Sequence, residues 1–119
     1  SFLNKPKIMK ITKIKRKFFV GKGKNIIEIN HSSNIKLKNN EQITFLFKNS
    51  QYDFVKKNWG FYATPSINGR LKKENFLTAL VKNKDKKIYL MVIHKSKTKE
   101  FRKYCKIHRQ KIVKWLHKY

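Results

Sequence analysis

The sequence predicts an α+β fold, with an antiparallel β-meander in the N-terminal half and an α-β-β-α-β order in the C-terminal half. Three observations carry this expectation. The first half breaks into short apolar runs separated by Gly, Asn and Ser, the spacing of hairpin-joined strands. Two helix-entry signals follow, Thr64-Pro65 and then Ser96 and Thr98 ahead of Glu100. Around them FLTALVK, KIYLMVIH and KIVKWL are β-branched or aromatic runs too short for ordinary helices. Strands and helices segregated in this way are the α+β pattern.

Residues 1–7 carry Pro6 and no periodicity, and are expected as a basic N-terminal arm before a single domain, 8–119. In 8–20, Ile8, Ile11 and Ile14 suit a helical stripe while Ile14, Phe18 and Val20 suit alternation. Its β-branched and aromatic content favours a strand. GKGKN at 21–25 reads as a hairpin turn; its glycines suit a phosphate cradle, but it fits neither the Walker A nor the GxGxxG pattern. Strands are expected at 25–30, 34–38 and 42–47, with turns at NHSSN and NNE. Residues 48–50 form another turn, 51–57 suit either a short helix or a strand, and 59–63 are extended. Thr64 then caps a helix through 66–74 with Pro65 at its first position. Strands 76–82 and 87–94 flank the NKDK turn. A second helix, capped by Ser96 or Thr98, aligns Phe101, Tyr104, Cys105 and His108 on one apolar face. A strand at 111–116 closes the chain.

Charge dominates the composition. There are 31 Lys and Arg against 6 Asp and Glu, a formal net charge of +25. Lys outnumbers Arg 27 to 4, as an AT-rich coding sequence would produce, but base composition does not account for the scarcity of acids. The excess therefore points to a polyanionic partner, nucleic acid first. Hydrophobic residues make up 39% of the chain and aromatics 13%, which argues against wholesale disorder. The lone Cys105 leaves no intramolecular disulfide, and no apolar run approaches the ~18 residues of a membrane span. Residues 1–40 lack a continuous apolar h-region, so the expected location is intracellular, cytoplasm or organelle matrix, and not secreted.

Catalysis finds little support. Glu28, Glu41, Asp53, Glu74, Asp85 and Glu100 share no motif, and acid–base or two-metal chemistry needs convergent carboxylates. Asp53 is expected to pair with Lys56 or Lys57. His31, His94, His108 and His117 show no metal-ligand spacing with one another or with Cys105. The expectation is a non-enzyme with no catalytic residue, no metal and no cofactor.

The segment 51–70, QYDFVKKNWGFYATPSINGR, holds five of the sixteen aromatics beside Lys56, Lys57 and Arg70. Unpaired bases stack on aromatic faces while Lys and Arg follow the phosphates, so this composition suits RNA. Trp59, Phe61 and Phe54 are expected in the core, with Tyr52 and Tyr62 suited equally to core or contact. The start of the 66–74 helix offers free N–H groups at Ser66, Ile67 and Asn68, with Arg70 one turn on; it reads first as a solvated helix end and second as a phosphate site. The other basic clusters are Lys13, Lys15, Arg16 and Lys17, then Lys22 and Lys24, and on the final helix Lys99, Arg102, Lys103, Lys106 and Arg109. A solvated face normally mixes charge signs, and only Glu100 offsets that last group. Together these residues and Tyr62 form the expected nucleic-acid surface. The expected protein is an RNA-binding component of a ribonucleoprotein assembly such as the ribosome, with other proteins of that assembly as further partners. A sequence-independent DNA-coating protein, or a binder of acidic glycans or anionic surfaces through 51–70, stands behind it.

Overall fold

The computed structural model describes residues 10–118, so the expected arm at 1–7 lies outside the described residues. The fold class differs from the expectation. The described residues are mostly β, 53% strand and 18% helical, built as three small antiparallel sheets with one helix of any length. Two causes account for the difference. The expected helix at 66–74 contracts to four residues, and the ambiguous 51–57 segment is a strand.

The first sheet is a long two-stranded hairpin of β1 (Lys10–Val20) and β2 (Ile27–Lys36). The NHSSN turn expected inside β2 does not form, because Asn30, His31, Ser33 and Asn34 each find a partner on β1. A register shift between Lys13 and Arg16 takes up one extra β1 residue and lets the ladder continue. That bulge also decides the faces. Residues paired across a ladder share a face, so Ile11, Phe18 and Val20 join Ile27, Ile29 and Ile35 on one side. Gly21 turns the chain at φ 92°, and a Cβ there would fall 2.4 Å from the Asn25 carbonyl oxygen, so this corner requires glycine.

The second sheet is a true meander of β3 (Gln42–Phe47), β4 (Ser50–Lys57) and β5 (Gly60–Ala63). The N-terminal strands thus divide between a hairpin and a separate three-stranded sheet. The short helix α1 (Arg70–Lys73) closes over one face and buries Leu71 against Tyr52 and Phe76, with Phe54, Ala63 and Ile67 around them.

The third sheet, in the order β7-β6-β8, comprises β6 (Phe76–Lys82), β7 (Ile88–His94) and β8 (Lys111–Trp115). Helix α2 (Thr98–Ile107) covers one face, and its Cys105 packs with Ala79, Val81 and Ile93. Burial pushes the Cys105 thiol pKa up, opposed by the Arg102 guanidinium. Phe76, at the start of β6, lies on the other face of the third sheet and packs into the first cluster, within contact range of Tyr52 and Phe47. His94 adds a polar link: its Nε2 lies 3.0 Å from Ser50 Oγ and its Nδ1 2.7 Å from Ser96 Oγ, with Phe47 stacked on the ring. Among the described residues the hairpin shares few contacts with the other elements. The Cα radius of gyration is 17.3 Å, against about 13–14 Å for a compact chain of this length. Among the described residues no helix is long and apolar enough to cross a membrane.

Candidate nucleic-acid interface

The aromatic segment separates into a buried half and a displayed half. Tyr52 enters the core, where desolvation raises its hydroxyl pKa. Trp59 and Phe61, expected in the core, are instead 68% and 65% exposed. The reason is topological. Lys57 pairs with Gly60, so Asn58 and Trp59 form the tip of the β4–β5 hairpin, and Phe61 follows one residue into β5, where both rings face solvent. Trp59 folds back over Tyr62, which is 44% exposed, with ring centroids 6.1 Å apart and planes 20° from parallel. Two stacked rings facing solvent form a platform.

Lys56 and Lys57 flank it. Their ammonium groups donate to Asn39 Oδ1 at 2.7 Å and Asn40 Oδ1 at 2.6 Å, side chains of the turn between β2 and β3. Neutral amides hold these cations without neutralising them, so their charge stays available to an anion. Each tether also removes rotamer freedom that binding would otherwise have to remove.

Arg70 has a different task. Asp53 is 1% exposed, and its partner is Arg70, whose Nη2 lies 3.0 Å from Asp53 Oδ2, rather than Lys56 or Lys57. The same nitrogen donates to Thr64 Oγ1 at 3.0 Å, and Thr44 Oγ1 donates to Asp53 Oδ1 at 2.5 Å. This network ties β3, β4, the end of β5 and α1 together, and it spends the guanidinium on the scaffold. The expected phosphate site beside it is absent too. Ser66 Oγ accepts from the Arg70 N–H, and the Ser66 carbonyl accepts from Gly69 and Leu71, so Thr64 and Pro65 do not cap a helix. Pro65 is fully buried.

On the hairpin, Lys13 and Arg16 share the apolar face, Lys15 lies in the bulge, and Lys17 points to the opposite face, 3.5 Å from Glu28. Arg16 sits over the Phe18 ring at 5.2 Å. Lys22 and Lys24 occupy the hairpin tip. On α2, Lys99, Arg102, Lys103 and Lys106 are exposed, and Arg102 rests 5.8 Å from the centroid of the Trp115 ring. Arg109 follows the helix at φ 52°.

The fold therefore distributes the expected residues over three patches: the platform with Lys56, Lys57 and Tyr62, the hairpin, and the outer face of α2. It brings one distant pair to a common place. Lys22 and Arg109 line the same cleft, of about 690 Å³, between the hairpin tip and the third sheet. Tyr89, Tyr104, Lys84 and Lys87 line it as well. None of these four was expected on the binding surface, because three segments far apart in the chain form the cleft. The apolar face assigned to α2 gave one signal: Tyr104 belongs to it by spacing yet stays exposed, its ring tilted at 43° to that of His108 with centroids 4.5 Å apart. The chain matches no family model, no curated protein and no solved structure.

Proposed function

We propose that this protein binds RNA, as a basic component of a ribonucleoprotein assembly, stacking unpaired bases on the Trp59–Tyr62 platform while lysines hold the phosphates. One observation carries the reading: an exposed, stacked aromatic pair on a chain of net charge +25. Large aromatics gain from burial, and these two forgo it beside cations held ready by Asn39 and Asn40. A duplex hides its base faces, whereas the loops, bulges and ends of folded RNA display them, so RNA ranks ahead of duplex DNA.

The test compares a folded RNA fragment, duplex DNA and an acidic polysaccharide of matched charge over a salt series. RNA should bind best, with log Kd rising steeply with log salt as counterions are released. Trp59→Ala should weaken RNA binding by about 5- to 100-fold, the range for loss of one base–aromatic stack. Equal affinity for all three polyanions would leave only generic charge. Preference for the polysaccharide, lost in Trp59→Ala, would assign the platform to sugar rings.

A further inference from the structure

The cleft between the hairpin tip and the third sheet has a chemistry distinct from the platform, and we propose that it is a nucleotide site, taking one base together with its phosphate. The ligand is either a free nucleotide or the unpaired end of an RNA strand; the second form rests on the RNA-binding reading, and the first does not.

Size sets the first limit. At about 690 Å³ the cleft falls in the range of small-molecule sites and is too small for a duplex. Charge sets the second. Lys22, Lys84, Lys87 and Arg109 line it against the single carboxylate of Asp85, so an anionic group is favoured. Three separate segments supply these cations, which lets them converge on one phosphate rather than follow a backbone.

The remaining lining selects for a base. Tyr89 and Tyr104 are both exposed, and His108, which also lines the cleft, packs against the Tyr104 ring at 4.5 Å. A ring held in place offers a stacking face at little entropic cost. Gln110 lines the cleft and also borders a second hollow beside Arg102 and Lys106. Its side-chain oxygen is buried without a hydrogen-bond partner among the described residues, while its backbone N–H is engaged by the Cys105 carbonyl at 2.8 Å. A buried acceptor lacking a donor is satisfied by an N–H, and every nucleobase carries one on its pairing edge. A second copy of this chain is a poor occupant, since it would bring another +25 to a cationic surface.

The experiment uses the whole chain, with backbone amide chemical shifts recorded against AMP, ribose 5-phosphate, inorganic phosphate and the trinucleotide pApApA. Saturable shifts around Lys22, Tyr89, Tyr104 and Gln110, with AMP at least tenfold tighter than ribose 5-phosphate, are expected. Lys22→Ala with Lys87→Ala, both at exposed positions, should weaken AMP at least tenfold, and Gln110→Leu should erase the preference for AMP over ribose 5-phosphate. Affinity for pApApA well above that for AMP would assign the site to a strand end, and equal affinity to a free nucleotide. Equal binding of AMP, ribose 5-phosphate and inorganic phosphate would overturn the proposal by reducing the cleft to a charged surface. Shifts confined to Trp59 and Tyr62 would overturn it while leaving RNA binding intact. AMP bound in the cleft of a protein that ignores RNA would do the reverse.

Discussion

Arg70→Met separates scaffold from contact surface more cleanly than any other single change. It removes the cation beside a carboxylate that is 1% exposed and keeps most of the side chain's length and apolar stem. Breaking a buried pair from one side costs about 3–5 kcal/mol, because the remaining charge is left uncompensated. Two features lower that figure here. The Arg70 side chain is 43% exposed, so water reaches the vacated space, and Thr44 still donates to Asp53. A loss of about 2–3 kcal/mol is therefore expected, allowing for that solvent screening. Adding Asp53→Asn should restore at least ~1 kcal/mol, since an amide needs no counter-charge and its oxygen still accepts from Thr44. Urea unfolding at neutral pH, followed by far-UV circular dichroism for the single and double variants, measures both numbers. RNA affinity, measured where each variant remains folded, should change by less than about threefold, the shift expected from one lost exposed charge. A single variant within ~0.5 kcal/mol of the parent, the range of ordinary surface changes, would refute the network. So would a double variant no more stable than the single one. A tenfold loss of RNA affinity at full stability would return Arg70 to the binding surface.

The hairpin should be the least stable part of the described chain. Two strands without a covering layer are marginal in water, so β1 and β2 amides should exchange with solvent well before those of β6, as hydrogen exchange followed by NMR would show. Exchange as slow in β1 as in β6 would mean an anchor that the contacts do not reveal. Cys105 should react slowly with iodoacetamide near neutral pH and rapidly after unfolding, because burial both covers the thiol and disfavours its thiolate. The linkage has a definite sign. The folded state keeps this proton at a pH where the unfolded chain gives it up, so the stabilisation is whole below the ordinary thiol value of 9.0 and declines as pH rises past it. Urea midpoints between pH 8 and 9.5 should fall for the parent and fall less for Cys105→Ala; equal slopes would refute the assignment.

Strands whose signals are local were legible in the sequence. β3 and β6 begin and end where their apolar runs do, and the NKDK turn closes β6 onto β7 because Asn83 Oδ1 accepts from the backbone of Asp85 and Lys87. What escaped was decided at long range. His31-Ser32-Ser33 carries turn chemistry, yet pairing with β1 outweighs it once the bulge resets the register. Thr64-Pro65 carries helix-entry chemistry, yet Arg70 is drawn to Asp53 seventeen positions earlier and Leu71 into the core, which leaves room for one turn of helix. Trp59 and Phe61 looked like core because the chain has few large apolar residues to spare. Trp59 is exposed because the β4–β5 register puts it at the hairpin tip, which composition does not encode.

Charge and topology together explain what so open a molecule would gain from a polyanionic partner. Most of the buried apolar residues among those described fall into two small, separate clusters, and the +25 charge opposes compaction of both. One face of the hairpin displays Ile11, Phe18, Val20, Ile29 and Ile35, and the uncovered face of the third sheet displays Ile88, Leu90 and Val92. Exposed apolar faces invite self-association, but like charge at this density repels a second copy. A polyanion meets no such repulsion. Any ligand that binds only the folded chain stabilises it, by about 2.7 kcal/mol at a hundred times its Kd. A ligand in the cleft gains a further coupling, because it touches both the hairpin tip and the third sheet. On the nucleotide-site proposal, binding there would order the hairpin, and by reciprocity whatever orders the hairpin would tighten binding. The lysines that weaken the free fold are thus the groups through which a partner would restore it.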